Sequence, residues 1–235
     1  VTLSQNIHNT FSEIQNSYNL SDLRNVVIRS KAQFRYFIGD DGFDISESYG
    51  IIGSIRVTSD GAIWEFGELR GIRASCAWSG YDNGDEIILH GDYNGHVYRQ
   101  EVGNSFAGSD IEAVYRTPYL DYGDTEVRKT LRTLNTFIKA TGSFDISISV
   151  KYDWDDIVHI NPPNYNEISQ GNSIIYDGGF DYDEDHVYGA PTQPILKTNI
   201  QGTGFAVQFT YVSRGIFAPF TIQGFVTEFS INGRL

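Results

Sequence analysis

From Asn25 onward the chain alternates apolar and polar residues with a period of two, and turn signals interrupt it every few residues. That period assigns alternate side chains to the two faces of a sheet, which excludes a helical fold for 25–235 and predicts β structure throughout. Four runs come first, at 26–28, 33–38, 51–57 and 62–66, divided by Ser30-Lys31, Gly39-Asp40-Asp41-Gly42 and Ser59-Asp60-Gly61. Asp60-Gly61 between two β runs predicts a tight hairpin, because a type I′ turn needs positive φ at both central residues. Residues 1–24 precede this pattern as a polar lead-in. Phe11, Ile14, Tyr18 and Leu20 are loosely spaced there and allow only a short helix.

A second set of runs follows with the same grammar, at 72–78, 86–90, 96–101 and 111–115, with tight turns at Asp82-Asn83-Gly84-Asp85 and Asp92-Tyr93-Asn94-Gly95. The two sets align where Asp60-Gly61-Ala62-Ile63-Trp64 matches Asn94-Gly95-His96-Val97-Tyr98. The offset from Gly61 to Gly95 is 34 residues, somewhat under the ~40–50 residues of common propeller repeats. Two four-stranded units in tandem fit adjacent propeller blades, with a meandering antiparallel sheet as the simpler alternative.

Beyond Thr117 the runs lengthen: 129–140, 143–154, 195–200, 204–213 and 220–232. Phe144, Ile146, Ile148 and Val150 alternate with Asp145, Ser147, Ser149 and Lys151, and Phe205, Val207, Phe209 and Tyr211 repeat the pattern. Long strands of this kind, with turns at Thr141-Gly142, Gln201-Gly202 and Arg214-Gly215, predict a β-sandwich. The chain thus reads as all-β: a lead-in at 1–24, two propeller-blade-like antiparallel units at 25–116, and a β-sandwich at 117–235. An irregular loop at about 157–194, rich in Asn, Asp, Gly, Tyr and Pro, interrupts the last. Loops this long in compact domains are usually functional or mobile.

The apolar share of 40% and the 15 Tyr and 15 Phe supply enough surface for real cores and exclude a disordered chain. No apolar run approaches the ~20 residues of a membrane helix, so no membrane insertion is expected. Residues 1–5 lack a basic and then apolar region, so no signal peptide is expected. The absence of any Met suggests a processed piece or part of a longer polypeptide. The single cysteine, Cys76, cannot form an intramolecular disulfide and reads as a small buried hydrophobe. A thiolate there would need a basic neighbourhood and a His, for which His90 and His96 are the candidates. A net charge of −13 argues against gripping nucleic acid, since phosphate binding needs a basic footprint.

Candidate sites are few. Asp177, Asp181, Asp183, Glu184, Asp185 and His186 offer hard oxygen ligands, of which Asp181, Asp183 and Asp185 form the best Ca²⁺ candidate, and Asp153-Trp154-Asp155-Asp156 offers others. EF-hand spacing is absent, and a solvated loop is the preferred reading. No nucleophile elbow, P-loop, dinucleotide fingerprint or zinc spacing occurs. Thr58-Ser59-Asp60-Gly61-Ala62-Ile63-Trp64 faintly resembles the Asp-box turn of sialidases, but it lacks the spacer between Asp and Gly, and that turn is structural. No enzymatic role and no cofactor are expected. Tyr165, Tyr176, Tyr182 and Tyr188 crowd the long loop and read as a protein interface, with passive glycan binding as the alternative.

Several phrases together resemble the C-terminal part of tail proteins of short-tailed bacteriophages, of the nozzle or tail tubular protein B type. They are Val27-Ile28-Arg29-Ser30-Lys31-Ala32-Gln33-Phe34-Arg35-Tyr36-Phe37, Glu68-Leu69-Arg70-Gly71-Ile72 and His90-Gly91-Asp92-Tyr93-Asn94-Gly95-His96-Val97-Tyr98-Arg99-Gln100-Glu101. Thr117-Pro118-Tyr119-Leu120-Asp121-Tyr122-Gly123, Arg128-Lys129-Thr130-Leu131-Arg132 and Ala218-Pro219-Phe220-Thr221-Ile222-Gln223-Gly224-Phe225 extend the likeness over most of 25–235. The resemblance implies a virion protein that forms a homo-oligomeric ring, expected to be a hexamer. Its partners would be other tail proteins, such as an adaptor or tail tubular protein A and tail fibres. DNA would pass through the ring without specific binding, along an acidic lumen. The second function it leaves open is a receptor- or glycan-binding tail module. Two blades cannot close a propeller, so the resemblance leaves three arrangements: further blades upstream of Val1, the units as an open sheet, or completion by neighbours.

Overall fold

A computed structural model describes residues 7–19, 21, 23–38, 49–59, 61–140, 142, 144–155, 161–169 and 195–234. It divides into two compact units, Val1–Gly103 and Asn104–Leu235. The fold is predominantly β, as the period of two requires. The one α-helix among the described residues is α1 (His8–Ser17), which lies in the lead-in.

In the first unit, β1 (Arg24–Ile28), β2 (Gln33–Ile38), β3 (Tyr49–Thr58) and β4 (Gly61–Arg70) form an antiparallel sheet in chain order. The two faces bury different sets. Ile38 and Ile51 on one face meet Ile14 of α1, and Phe11 and Tyr18 of the lead-in pack against the same cluster. Val26, Ile28 and Phe37 on the other face pack with Ala74 and Ile88. These belong to a second sheet and its approach: β5 (Cys76–Asp82), β6 (Asp85–Gly91) and β7 (Val97–Arg99), paired in that order. Ser79 Oγ donates to the Val27 carbonyl at 2.5 Å, tying β5 to β1.

Two details differ from the pattern expected of this region. The hairpin between β3 and β4 pairs Thr58 with Gly61, so its two-residue link is 59–60 and Gly61 already belongs to the strand. The tight turn expected at Asp82-Asn83-Gly84-Asp85 forms and carries the type I′ signature, with φ of 51° and 93° at Asn83 and Gly84 between the paired Asp82 and Asp85. The second sheet has three strands, because the fourth run, β8 (Ile111–Arg116), pairs with β14 (Val207–Gly215) of the second unit. Alternation makes a run a strand but does not choose its neighbour.

The second unit holds two sheets. One has the order β11-β10-β14-β8, with β10 (Phe144–Tyr152), β11 (Tyr165–Ser169) and β14 (Val207–Gly215). In the other, β9 (Val127–Ala140) pairs with β12 (Ile195–Asn199) and β13 (Thr203–Gly204) along one edge and with β15 (Phe220–Arg234) along the other. One hydrophobic cluster draws on both: Leu131, Leu134 and Ile138 of β9, Phe144 to Tyr152 of β10 in strict alternation, and Val207, Phe209 and Tyr211 of β14. Leu131 and Leu134 share that core although they stand three positions apart, an odd offset that would put them on opposite faces of a regular strand. The register with β15 explains it: Leu131 opposes Phe229 and Thr133 opposes Glu228, so Arg132 is an extra residue that shifts the phase of β9.

Candidate interaction surfaces

The most connected polar site in the first unit lies between its two sheets. Arg35 of β2 is only 8% exposed, and a charge so placed needs partners. Its guanidinium donates to Gln33 Oε1 at 3.0 and 2.8 Å and to Gln100 Oε1 at 2.7 Å, and it pairs with Glu101. Lys31 pairs with the other Glu101 oxygen. Burial alone would raise the Glu101 carboxyl, but the hydrogen bonds from Lys31 and Arg35 hold it below the usual carboxylate value. Glu101 sits at a φ of 63°, a left-handed backbone that its two cations help to hold.

Gln100 also donates its side-chain amide to His90 Nδ1 at 3.1 Å. The His90 ring lies between Phe37 and Tyr98, at centroid distances of 6.4 and 5.1 Å. Asp92 organises the next turn: its Oδ1 accepts the Asn94 and His96 amides at 2.8 Å, and its Oδ2 faces His96 Nδ1 at 3.2 Å and the Tyr98 hydroxyl at 3.3 Å. These groups spend their hydrogen-bonding capacity on each other and on the backbone. The Arg35–Glu101–Gln100 part of the arrangement clamps the two sheets together.

Cys76 is exposed, contrary to the buried position expected of it. It opens β5 on the face away from the core, where its Sγ lies 2.8 Å from where a Cβ on the opposing Gly91 would stand. His90 pairs with Ala77 and therefore points to the other face. Among the described residues, no group of three or more His, Cys, Asp or Glu is placed to hold a metal. Asp153 Oδ1 accepts the Phe205 and Ala206 amides at 2.7 and 3.1 Å, which ties that carboxylate to the backbone.

Tyr165 lies in β11, half-buried against the second core, and its hydroxyl accepts the Gln201 amide at 2.9 Å. Tyr176, Tyr182 and Tyr188 lie outside the described residues, as do Asp181, Asp183 and Asp185 with the rest of that acidic run. The large apolar side chains left uncovered sit elsewhere. In the first unit, Trp78 and Val97 are 54% and 71% exposed on the outer face of β5–β7. In the second, Val226 and Ile231 are exposed on β15, and Val114 and Tyr115 on β8, the end strands of their sheets. Periodicity alone does not pick out these positions, since an outward apolar residue on a strand looks like an inward one until the register is known. The chain matches no family model and none of the curated proteins.

Proposed function

We propose that this chain is a non-enzymatic structural component of a bacteriophage tail, of the nozzle type, which assembles with copies of itself and with other tail proteins. The observation that carries the reading is the position of the uncovered apolar side chains: on open sheet faces and end strands, with the polar clusters closed on themselves. Apolar surface of this kind favours a protein partner. The phrases at 27–37 and 90–101, which resemble tail proteins, meet in the Arg35–Glu101–His90 network, and this supports treating them as architectural.

In this reading β1–β4 and β5–β7 are blades of the propeller type, packed face to face, and the two sheets of the second unit form a β-sandwich about one apolar cluster. Closing the propeller takes further blades from a longer chain or from neighbours. The net charge of −13 suits a conduit for DNA, because an acidic wall repels phosphate over about 8 Å at physiological salt. Imaging of assembled particles tests the ring, and closed rings, expected to be hexamers, with an acidic lumen are the predicted result. A basic lumen, or tight and salt-sensitive binding of the protein to duplex DNA, would defeat the conduit.

One observation favours a receptor-binding module as second reading. Trp154 is exposed with its ring 5.7 Å from that of Tyr119, on a backbone where both Asp153 and Trp154 have positive φ. Exposed aromatic pairs suit sugar faces as well as protein. Cell binding that disappears in Trp154→Ala while tail assembly continues would favour this module over the ring.

A further inference from the structure

We propose that the outer face of β5–β7 is a self-association surface, which takes the same face of a second copy about a twofold axis crossing β6 at Ile87. The proposal deepens the self-assembly half of the function proposed above and rests on it. The first support is the text of β6. Ile88 is buried toward the first sheet, while Ile87 and Leu89 point the opposite way. A run apolar on both faces is the pattern of a strand covered on both sides, and here one side is open. On that side lie Cys76, Trp78 and Val97 as well, by the register of the three strands.

The second support is the set of the indole. A Cβ added to Gly80 would stand 2.2 Å from the Trp78 ring, so the ring lies flat across the glycine, beside Ile87 on the next strand. A large aromatic surface is thereby presented with little freedom left to lose on contact.

Charge selects the partner. Asp82 and Asp85 are directly opposed at the hairpin end of this face, both exposed and without an ion-pair partner among the described residues. Like charges so placed cost stability unless a cation approaches. Arg99, also exposed and in no ion pair among the described residues, opposes Leu89 on the same face. Asp85 lies two residues before Ile87 and Leu89 two residues after it. A twofold axis in the contact plane, running across the strands at Ile87, exchanges these levels. It brings Arg99 of each copy to the level of the acidic hairpin end of the other, one strand to the side of Asp85 and within reach of a long side chain, with Ile87 at the centre of the contact. The contact is isologous and joins copies in pairs, so ring closure uses a different surface.

The test uses the full chain. Sedimentation across a wide concentration range should show pairing, and Cys76 should react more slowly with a soluble thiol reagent as pairing rises. Arg99→Asp and Asp85→Arg should each weaken pairing by about tenfold or more, since each sets like charges together twice in the contact. Mixed in equal amounts, the two variants should pair with each other as the parent does, because both contacts are then complementary. Trp78→Lys, an exposed change, should also abolish pairing while leaving the melting curve in place. A chain monomeric at every concentration overturns both this surface and self-assembly. Assembly indifferent to all three variants overturns the surface and leaves the ring standing. Pairing that follows the charge rule without any closed ring in images supports the surface and removes the ring. A soluble oligosaccharide that binds at Trp78 in a chain that never self-associates overturns the proposal.

Discussion

Two threonines in the second core show how much one hydroxyl matters. Thr136 and the Tyr211 hydroxyl lie 3.1 Å apart, both buried, and burial raises that phenol to about 12. Thr198 is as deeply buried, but its Oγ1 has no hydrogen-bond partner among the described residues. A buried polar group without a partner costs about 1–3 kcal/mol, so the same substitution should act in opposite directions at the two sites. Thr198→Val is expected to stabilise the chain by about 1 kcal/mol, whereas Thr136→Val should cost about 1–3 kcal/mol by stranding the Tyr211 hydroxyl; urea midpoints decide both. Gly53 is a third telling position. A Cβ there would meet the Phe34 ring at 2.4 Å, and that ring is held by Tyr36, Trp64 and Phe66. Gly53→Ala should cost about 1–3 kcal/mol by overpacking. His90 carries a pH dependence. Burial holds its imidazole below the ordinary value of 6.5, against the opposing pull of Asp92. The unfolded chain therefore binds the proton first as pH falls, and stability present above that value is lost below it. Unfolding measured at pH 7.5 and pH 5 should show a larger loss for the parent chain than for His90→Gln; equal losses would remove His90 from the account.

Among the elements, β9 and β15 make the longest ladder, and three register shifts interrupt it. One adds Arg132 to β9; the others add Gln223 and Asn232 to β15. The first decides the core. With it, Lys129 and Leu131 point inward on one phase and Leu134, Thr136 and Ile138 on the other. Lys129 is buried there at 5% exposure, its Nζ donating to the carbonyls of Asp124, Val127 and Phe205. Arg132 itself points outward, and its carbonyl accepts the Ile200 amide. Replacing it by Ala should be nearly neutral, because the backbone keeps its bond. Deleting it should turn one half of β9 inside out and abolish the cooperative transition of this unit, a contrast that circular dichroism melts resolve. The shifts in β15 also interrupt an open strand edge, a known means of discouraging unwanted strand addition.

At the scale of the whole molecule, the first unit has two apolar clusters and the second has one, and the described residues that form them lie outside 170–194. Removing 171–190 should therefore leave both units folded. If the tyrosines there bind a neighbour, the shortened chain should melt as before and fail to assemble; unimpaired assembly would discard that loop as an interface. A cut reaching back to Tyr165 is a poorer test, since it removes β11 and a core contact. The sequence by itself determined the β class, most strand positions and the inward set of β10, because a period of two along one strand is a local property that the chain carries wherever it goes. It also placed the turn at Asn83-Gly84, where positive φ selects the residues. What only the tertiary structure decided were the relations between strands. β8 left its expected sheet for β14, Cys76 came to face outward, Arg132 shifted the phase of β9, and Trp78, Ile87 and Leu89 gathered with Arg99 on one open face. Pairing and register are set by which faces must be buried against which, and that competition is settled among residues far apart in the chain.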